Sequence, residues 1–227
     1  MGTDDLFKKR RAGLKERKRE QFTPKPDSFL IVSEGQKTEP LYFDGLANYI
    51  NGKYGKGIDV RKPIIQTRGE GKCTVSLVEE ADKIQSRANI VYNQIWVIFD
   101  KDDFLDFDEA IDLALKKGFH VGWSNQCFEY WIFLHFNYSD AALDRNEWIK
   151  KLSEVFRKNG IDPQGYKKND SQIFEIATKY GSLKAAVSNA KRIEKQYQSG
   201  TKPSLCDPCT TVQDLIFELK PWLSGLL

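Results

Sequence analysis

Four short apolar runs, separated by segments of helix length, constrain the fold of this chain more than any other feature. They cover residues 29–33, 58–67, 95–99 and 119–123. β-branched and aromatic side chains dominate the runs at 29–33 and 95–99, as in strands that are buried on both faces. The resulting order β-α-β-α-β-α-β is typical of a parallel sheet with right-handed crossovers. We therefore predict an α/β fold with a four-stranded, mainly parallel sheet and flanking helices.

Cap and turn residues position the helices between these strands. Thr38 is the predicted N-cap of the first helix, and Pro40 lies in its first turn, where its missing N–H does no harm. Residues 51–57 form a predicted turn after this helix. A glycine turn at 69–72 leads to a second helix at about 74–88. The third helix, at about 107–117, ends at Gly118.

The pattern becomes helical after residue 124. The first helix there, at 128–136, is apolar nearly all round and is predicted to be buried. Further helices are predicted at about 145–158, 171–180, 182–198 and 210–219. The chain thus divides into a basic N-terminal arm at 1–27, an α/β core at 28–124 and a helical C-terminal elaboration at 125–227.

Charge is distributed unevenly along the chain. Residues 6–25 carry nine Lys or Arg against two Glu, whereas residues 28–227 carry 26 Lys or Arg against 27 acidic residues. Such an arm is either simply solvated or a contact for phosphates. The chain lacks the run of roughly 18 apolar residues that a membrane helix needs, and its first residues lack an apolar secretory core. We expect a cytoplasmic protein with reduced cysteines.

Acidic residues follow two of the predicted strands directly. Glu34 follows the first strand, and Asp100 and Asp102 follow the third. The carboxyl ends of parallel strands meet at one edge of the sheet, where open α/β folds bind ligands. Carboxylates that converge there are usually held by a cation. The pattern favours a divalent-metal site, although acidic residues also end strands in solvated loops without any such role.

Glu129 is a further candidate ligand, because it lies inside an apolar helix that begins just beyond the fourth strand. A buried ionised Glu needs a cation or a proton. A Lys or Arg partner and a metal ion both remain open. Asn125 and Gln126 precede this helix; they either position a ligand or cap the helix, and capping is the commoner use of Asn there.

Several lysines lie beside these motifs. Lys37 and Lys101 are adjacent to the acidic motifs, where a Lys stabilises charge on a phosphoryl group or is merely an exposed loop residue. The segment from Gly69 to Thr74 lacks the spacing of a P-loop. We interpret it as a tight turn whose backbone N–H groups and Lys72 contact a phosphate.

The pair Cys206 and Cys209 has the C-x-x-C spacing. A structural zinc ion needs two more ligands, and the remaining Cys and His residues form no second close pair, so zinc is disfavoured. A thioredoxin-like motif is also disfavoured, because the pair falls in a predicted helical tail. His135, on the buried helix, is interpreted as a core residue.

Three motifs in order closely resemble the RloB-like protein family. They are residues 29–43 (FLIVSEGQKTEPLYF), 99–103 (FDKDD) and 124–136 (SNQCFEYWIFLHF), and the similarity continues through Tyr166-Lys167-Lys168 and Asn189-Ala190-Lys191-Arg192. The resemblance covers about residues 8–220. The tail at 203–212 departs from it, because the family usually has a shorter Pro-Ser/Ala-Thr segment there.

The resemblance implies a compact Toprim-type domain that carries out metal-dependent phosphodiester chemistry. It transfers metal and general acid/base roles to Glu34, Asp100 and Asp102, with Glu129 as a further ligand. Lys37 is a catalytic candidate because of its place beside the first acidic motif. It also implies a bacterial or archaeal protein that often neighbours an ATPase in phage-defence loci. The residues expected to bind nucleic acid are Lys8, Lys9, Arg10, Arg11, Lys72, Lys101, Lys167, Lys168, Lys191 and Arg192.

The expected activity is therefore cleavage of DNA or RNA with Mg²⁺ or Mn²⁺, whose preference for hard oxygen ligands suits carboxylates. One alternative is a phosphatase-like phosphotransferase whose Asp-x-Asp supplies a nucleophile, although that motif usually follows the first strand of such domains. Another is a non-catalytic module that binds nucleotide or docks on an ABC/AAA-type ATPase. The sequence leaves the oligomeric state and the choice between DNA and RNA open.

The basic arm generates the first prediction. Deletion of residues 1–24 is expected to weaken nucleic-acid binding and to flatten its salt dependence, because the arm's charges release phosphate counterions without a fixed geometry for reading bases. Fluorescence anisotropy with labelled oligonucleotides over a range of salt concentrations measures both quantities. An unchanged salt slope would show that the arm has no such role.

Overall fold

The computed structural model of the protein describes residues 27–54, 62–72 and 74–227. Four strands form one sheet: β1 (Ser28–Ser33), β2 (Ile64–Gly69), β3 (Gln94–Asp100) and β4 (His120–Ser124). Their order is β2-β1-β3-β4, and all three pairings are parallel. The predicted α/β class is confirmed, and the sheet is parallel throughout.

Eight α-helices lie within the described residues. They are α1 (Thr38–Lys53), α2 (Thr74–Arg87), α3 (Phe107–Lys116), α4 (Phe128–Phe133), α5 (Arg145–Lys158), α6 (Ile173–Lys179), α7 (Leu183–Glu194) and α8 (Val212–Glu218). Helix α1 packs on β1 and β2, whereas α2 and α3 pack on each other and on β3 and β4. The chain leaves β1 toward one side of the sheet and β3 toward the other. The carboxyl ends of β1 and β3 therefore flank a topological switch point, where open parallel sheets bind ligands.

The C-terminal half continues the core of the sheet. Helix α4 is buried along its whole length and contacts β4, α5 and α7, as its apolar sequence predicted. The largest side chains with almost no exposed surface include Trp131 and Trp148, from α4 and α5. Residues from both halves of the chain belong to one continuous hydrophobic cluster, so the helices after residue 124 help to fix the sheet edge that precedes them.

Strand β2 and helix α1 depart from their predicted bounds. β2 pairs with β1 from Ile64 to Gly69, later than the predicted 58–67, and residues 58–61 lie outside the described residues. Helix α1 extends to Lys53 rather than ending before residue 51. Thr38 is its first residue and not its N-cap, which is Lys37. The Thr38 Oγ1 atom instead lies 3.1 Å from both the Tyr166 hydroxyl and the Lys168 carbonyl oxygen.

Two predictions about the segment around β4 were wrong for one physical reason, a tertiary contact with the tail. Asn125 neither caps α4, whose N-cap is Cys127, nor lines the cavity described below. Its Nδ2 donates to the Cys206 carbonyl oxygen at 2.8 Å. The C-x-x-C segment is not helical but runs beside β4, where Cys206 and Cys209 are free and buried.

None of the helices in the described ranges is both long and apolar enough to cross a bilayer. This finding agrees with the absence of a long apolar run in the sequence.

His135 lies in the core, as its position on an apolar segment predicted. It is 1% exposed. Its Nδ1 lies 3.1 Å from the Trp131 carbonyl oxygen and its Nε2 3.0 Å from the Tyr42 hydroxyl. A carbonyl oxygen only accepts, so Nδ1 carries the proton and Nε2 accepts from Tyr42. Burial lowers the pKa of His135 to about 4, because a charged ring would lose its hydration there.

This buried imidazole generates a stability prediction. Its folded-state pKa of about 4 lies below the value of about 6.5 expected in the unfolded chain. The contribution to stability is therefore complete above about pH 6.5 and is lost as the pH falls toward 4. At pH 5 the loss is about 2 kcal/mol.

The measurement is an NMR titration of the imidazole signals in His120→Asn, which removes the only other histidine. The remaining imidazole is expected to stay neutral at pH 5. A midpoint near pH 6.5 would contradict the prediction.

Candidate active site

Glu34 and Asp100 meet at the carboxyl edge of the sheet, between its two central strands. Ser33 pairs with Ile98, so β1 and β3 end close to the same level. The Glu34 backbone N–H donates to the Ile98 carbonyl oxygen at 2.9 Å. The Asp100 backbone N–H donates to Glu34 Oε2 at 3.3 Å. Backbone pairing thus places both carboxyl groups at the switch point.

Asp100 is 6% exposed and is held by the helix that follows β4. Its Oδ2 accepts a hydrogen bond of 3.1 Å from the backbone N–H of Phe128, the first residue of α4. Burial raises its pKa well above the usual range, and the nearby carboxyl groups of Glu39 and Glu129 raise it further. Burial and the neighbouring carboxyl groups thus disfavour the ionised form of Asp100.

Glu34 is less buried than Asp100, and its pKa is raised to about 7. Burial is the main cause, and the hydrogen bond from the Asp100 N–H opposes it. Repulsion from Glu39 adds to the rise. A carboxyl group with a pKa near neutrality exchanges protons readily at physiological pH.

A second acidic pair, Glu39 and Glu129, lies beside the first. Glu129 is 2% exposed and Glu39 is 8% exposed. Burial raises the pKa of Glu39, and the charge of Glu129 raises it further. Glu129 Oε1 accepts from the Tyr166 hydroxyl at 3.1 Å and lies 3.5 Å from Lys168 Nζ. The Lys partner that the sequence left open for Glu129 is thus present.

Gly35 makes the approach of Glu39 possible. A Cβ atom at this position would lie 2.1 Å from Glu39 Oε2, far inside van der Waals contact. Glu39 was not predicted, because an acidic residue in the first turn of a helix has an ordinary explanation in the helix dipole. The glycine after Glu34 was the available signal, since it marks a close approach to the backbone.

Arg145 is the second residue that sequence reasoning missed. Its Nη1 lies 2.9 Å from Asp102 Oδ2, and its Nη2 lies 3.5 Å from Asp100 Oδ2. Asp102 has a φ of +43°, a value that Asp tolerates better than most residues. Arg145 is the first residue of α5, where a cation opposes the helix dipole. A basic residue in the first turn of a predicted helix was therefore the sequence signal for a contact with acidic residues elsewhere.

These side chains surround one cavity of about 500 Å³. Its lining includes the four buried or half-buried acids together with basic side chains from several elements: Glu34, Gly35, Gln36, Lys37, Thr38, Glu39, Gly71, Lys72, Asp100, Phe104, Glu129, Arg145 and Lys168. Asp102 is not among the lining residues and reaches them through Arg145. The cavity combines acidic groups with cations that attract anions.

The predicted basic residues occupy different places. Lys37, Lys72 and Lys168 line the cavity, whereas Lys101, Lys167, Lys191 and Arg192 do not. Lys167 pairs with Asp162 at 2.7 Å. On α7, Lys191 lies over the Phe217 ring and Arg192 over the Tyr138 ring. Lys101 donates its backbone N–H to the Ser124 carbonyl oxygen. Lys8, Lys9, Arg10 and Arg11 lie outside the described residues.

The acidic side chains do not form a closed metal cage. Within residues 27–54, 62–72 and 74–227, no group of three or more His, Cys, Asp or Glu side chains is arranged to hold an ion. Glu34, Asp100 and Asp102 share one edge of the sheet, but Arg145 binds the two aspartates there.

The fold and the site together define the class of this protein: an open, parallel α/β protein with carboxyl groups at its topological switch point. The chain belongs to the RloB-like protein family, whose family model matches residues 29–219. The match includes every described residue that lines the cavity. No curated protein and no solved structure matches the chain.

The buried Glu129 generates the next prediction. Tyr166→Phe is expected to lower the free energy of unfolding by about 1–3 kcal/mol, because it removes a donor from a buried carboxyl group. Urea unfolding at neutral pH measures the change. Tyr180→Phe is the matched control, since Tyr180 is 43% exposed. Equal losses in the two variants would contradict the role assigned to the Tyr166 hydroxyl.

Proposed function

We propose that this protein is a metal-dependent nuclease that hydrolyses phosphodiester bonds of DNA or RNA with Mg²⁺ or Mn²⁺. The observation that carries the proposal is the meeting of Glu34 and Asp100 at the switch point, joined by the Asp100 N–H. Both line a cavity that also contains cationic side chains. This combination suits a substrate that is itself an anion and a reaction that needs carboxylates.

The donor set is compatible with Mg²⁺. Mg²⁺ prefers hard oxygen ligands, keeps several water molecules and takes only one or two protein carboxylates. The meeting of Glu34 and Asp100 at the switch point meets this requirement without a closed cage of protein ligands. Asp100 and Glu34 are the residues that would hold it, with Asp102 and Glu129 as further carboxylates close by. The bound ion would polarise the phosphodiester and supply an activated water molecule.

The side chains around the cavity have separate roles in this proposal. Glu34 is the candidate general acid/base, because its carboxyl group lies at the cavity and a proton can leave it for water or a leaving oxygen. Lys37 and Lys72 line the same cavity and would bind phosphate oxygens. Lys168 already forms an ion pair with Glu129 at 3.5 Å. It would therefore mainly offset the negative charge of the pair Glu39 and Glu129.

The biological setting of the proposal comes from the family resemblance alone. A Toprim-type catalytic domain, a role in anti-phage defence and control by an ABC/AAA-type ATPase are proposed on that ground. A cytoplasmic location is proposed with them, since a nuclease of this kind acts where nucleic acid is. The basic arm and the lysines outside the cavity would add affinity for the phosphate backbone.

One observation favours a second candidate, a non-catalytic module that binds a nucleotide or docks on an ATPase. Arg145 already neutralises Asp100 and Asp102 in part, as in a site whose carboxylates serve structure only. The phosphotransferase alternative gains no comparable support, because the Asp100 side chain is almost fully buried and its Oδ2 accepts from Phe128.

Isosteric variants distinguish these functions. Asp100→Asn, Asp102→Asn and Glu34→Gln are each expected to reduce metal-dependent cleavage by about a hundredfold or more, because each removes a carboxylate oxygen or a proton-transfer group. The assay incubates labelled plasmid, single-stranded DNA and tRNA with the protein and Mg²⁺, Mn²⁺ or EDTA. Asp103→Asn is the control, since Asp103 is exposed in the same loop and does not line the cavity.

Circular dichroism confirms that each variant is folded. Full cleavage by Asp100→Asn would show that the cavity is not the catalytic centre. Absence of cleavage by the wild-type protein, with retained nucleotide binding, would favour the non-catalytic module.

A further inference from the structure

Arg145 occupies an unusual position among the acidic residues. Its guanidinium spans the carboxyl groups of the last residue of β3 and of the loop that follows, with Nη1 at 2.9 Å from Asp102 and Nη2 at 3.5 Å from Asp100. The negative charges of both aspartates raise the pKa of Arg145, against the effect of its burial. The side chain is 33% exposed, so one side of it faces solvent and the cavity.

The contacts of Arg145 are incomplete for so central a residue. Its Nε is buried and has no hydrogen-bond acceptor within the part of the chain that the structure describes. A buried N–H without an acceptor costs free energy. The contact with Asp100, at 3.5 Å, is also long for a charge-assisted hydrogen bond. The guanidinium is therefore held by charge rather than by a closed set of hydrogen bonds.

Helix α5 does not need this side chain in order to begin. Its N-cap is Asp144, whose side chain accepts from the backbone N–H groups of Asn146 and Glu147. Glu147 returns a hydrogen bond by accepting from the Asp144 N–H. This capping box fixes the start of α5 independently of Arg145. Nothing in the helix itself accounts for a cation at that position.

We propose that Arg145 competes with a divalent cation for Asp100 and Asp102, so that the metal ion binds only when the guanidinium leaves these carboxylates. The inference rests on the proposed metal-dependent function and adds a named residue that sets how tightly the ion is held. Asp100 Oδ2 already accepts from the Phe128 N–H and lies near Arg145 Nη2. A cation that approaches this oxygen meets a fixed positive charge.

The competition predicts a gain of metal affinity on removal of the charge. Arg145→Gln is expected to bind Mn²⁺ about tenfold more tightly than the wild-type protein, because a positive charge within 4 Å of the carboxylates repels an incoming cation. Arg145→Lys keeps the charge but lacks the planar fork that spans two carboxylates. Its affinity is expected between those of the wild-type protein and Arg145→Gln.

The measurement is a Mn²⁺ titration of the full chain without nucleic acid, followed by electron paramagnetic resonance of the free ion. The rise of the melting temperature with Mn²⁺ is a second readout, and it is expected to be larger in Arg145→Gln. Arg157→Gln is the matched control on the same helix, because Arg157 is exposed, does not line the cavity and donates from Nη2 to the Gln164 carbonyl oxygen. Its affinity is expected to equal that of the wild-type protein.

The outcomes separate this inference from the function on which it rests. Unchanged or weaker Mn²⁺ binding in a folded Arg145→Gln, with binding by the wild-type protein, would overturn the competition and leave the nuclease proposal intact. Absence of Mn²⁺ binding in both proteins would overturn the two together. If Arg145→Gln does not fold, an affinity of Arg145→Lys at or below the wild-type value would overturn the competition.

Discussion

The hydrogen bond from the Asp100 backbone N–H to the Glu34 carboxylate joins the two strands on which the remaining structure depends. It links the last residue of β3 to the residue that follows β1, and both carboxyl groups line the same cavity. The parallel register fixes this arrangement, because β1 and β3 run in the same direction and end at the same edge. Three other segments meet this part of the site: α4 contacts Asp100, α5 contacts Asp100 and Asp102 through Arg145, and the segment around Tyr166 contacts Glu129.

The site holds its acidic groups close together at a cost in free energy. Burial and mutual repulsion raise the pKa values of Glu34, Glu39 and Asp100, and the cations that oppose them, Arg145 and Lys168, are only partly buried. A structure selected for stability alone would replace such a cluster with apolar residues. Carboxyl groups with pKa values raised by burial and repulsion, at the edge of a parallel sheet where ligands bind, are characteristic of functional sites.

The strands, most helices and the outline of the site follow from local patterns in the sequence. Apolar runs identified all four strands, and the acidic residues that follow β1 and β3 could be placed at one edge because the carboxyl ends of parallel strands converge. Glu129 was recognised because a carboxylate in an apolar helix needs a partner. Each of these inferences depends on neighbours in the sequence and on the geometry of one class of sheet.

The parts that were missed depend on contacts between distant segments. Thr38 is not a cap because Tyr166 and Lys168, far along the chain, occupy its hydroxyl. Arg145 belongs to a helix that sequence alone does not connect to the loop after β3. The Nδ2 of Asn125 contacts Cys206, and no local rule anticipates that the tail returns to the sheet. Secondary-structure propensity depends on the local segment alone, whereas these side chains form their contacts with residues from distant segments.

The return of the tail to β4 has a consequence for how the molecule avoids association. β4 is the last strand on its side of the sheet, and such a strand offers unpaired backbone groups to other chains. Thr211 donates its N–H to the Trp123 carbonyl oxygen, the Asn125 N–H donates to the Cys209 carbonyl oxygen, and Ser124 forms an antiparallel bridge with Thr210. The tail therefore pairs with the carboxyl end of β4 in the antiparallel direction through main-chain hydrogen bonds. A neighbouring molecule cannot extend the sheet at that point.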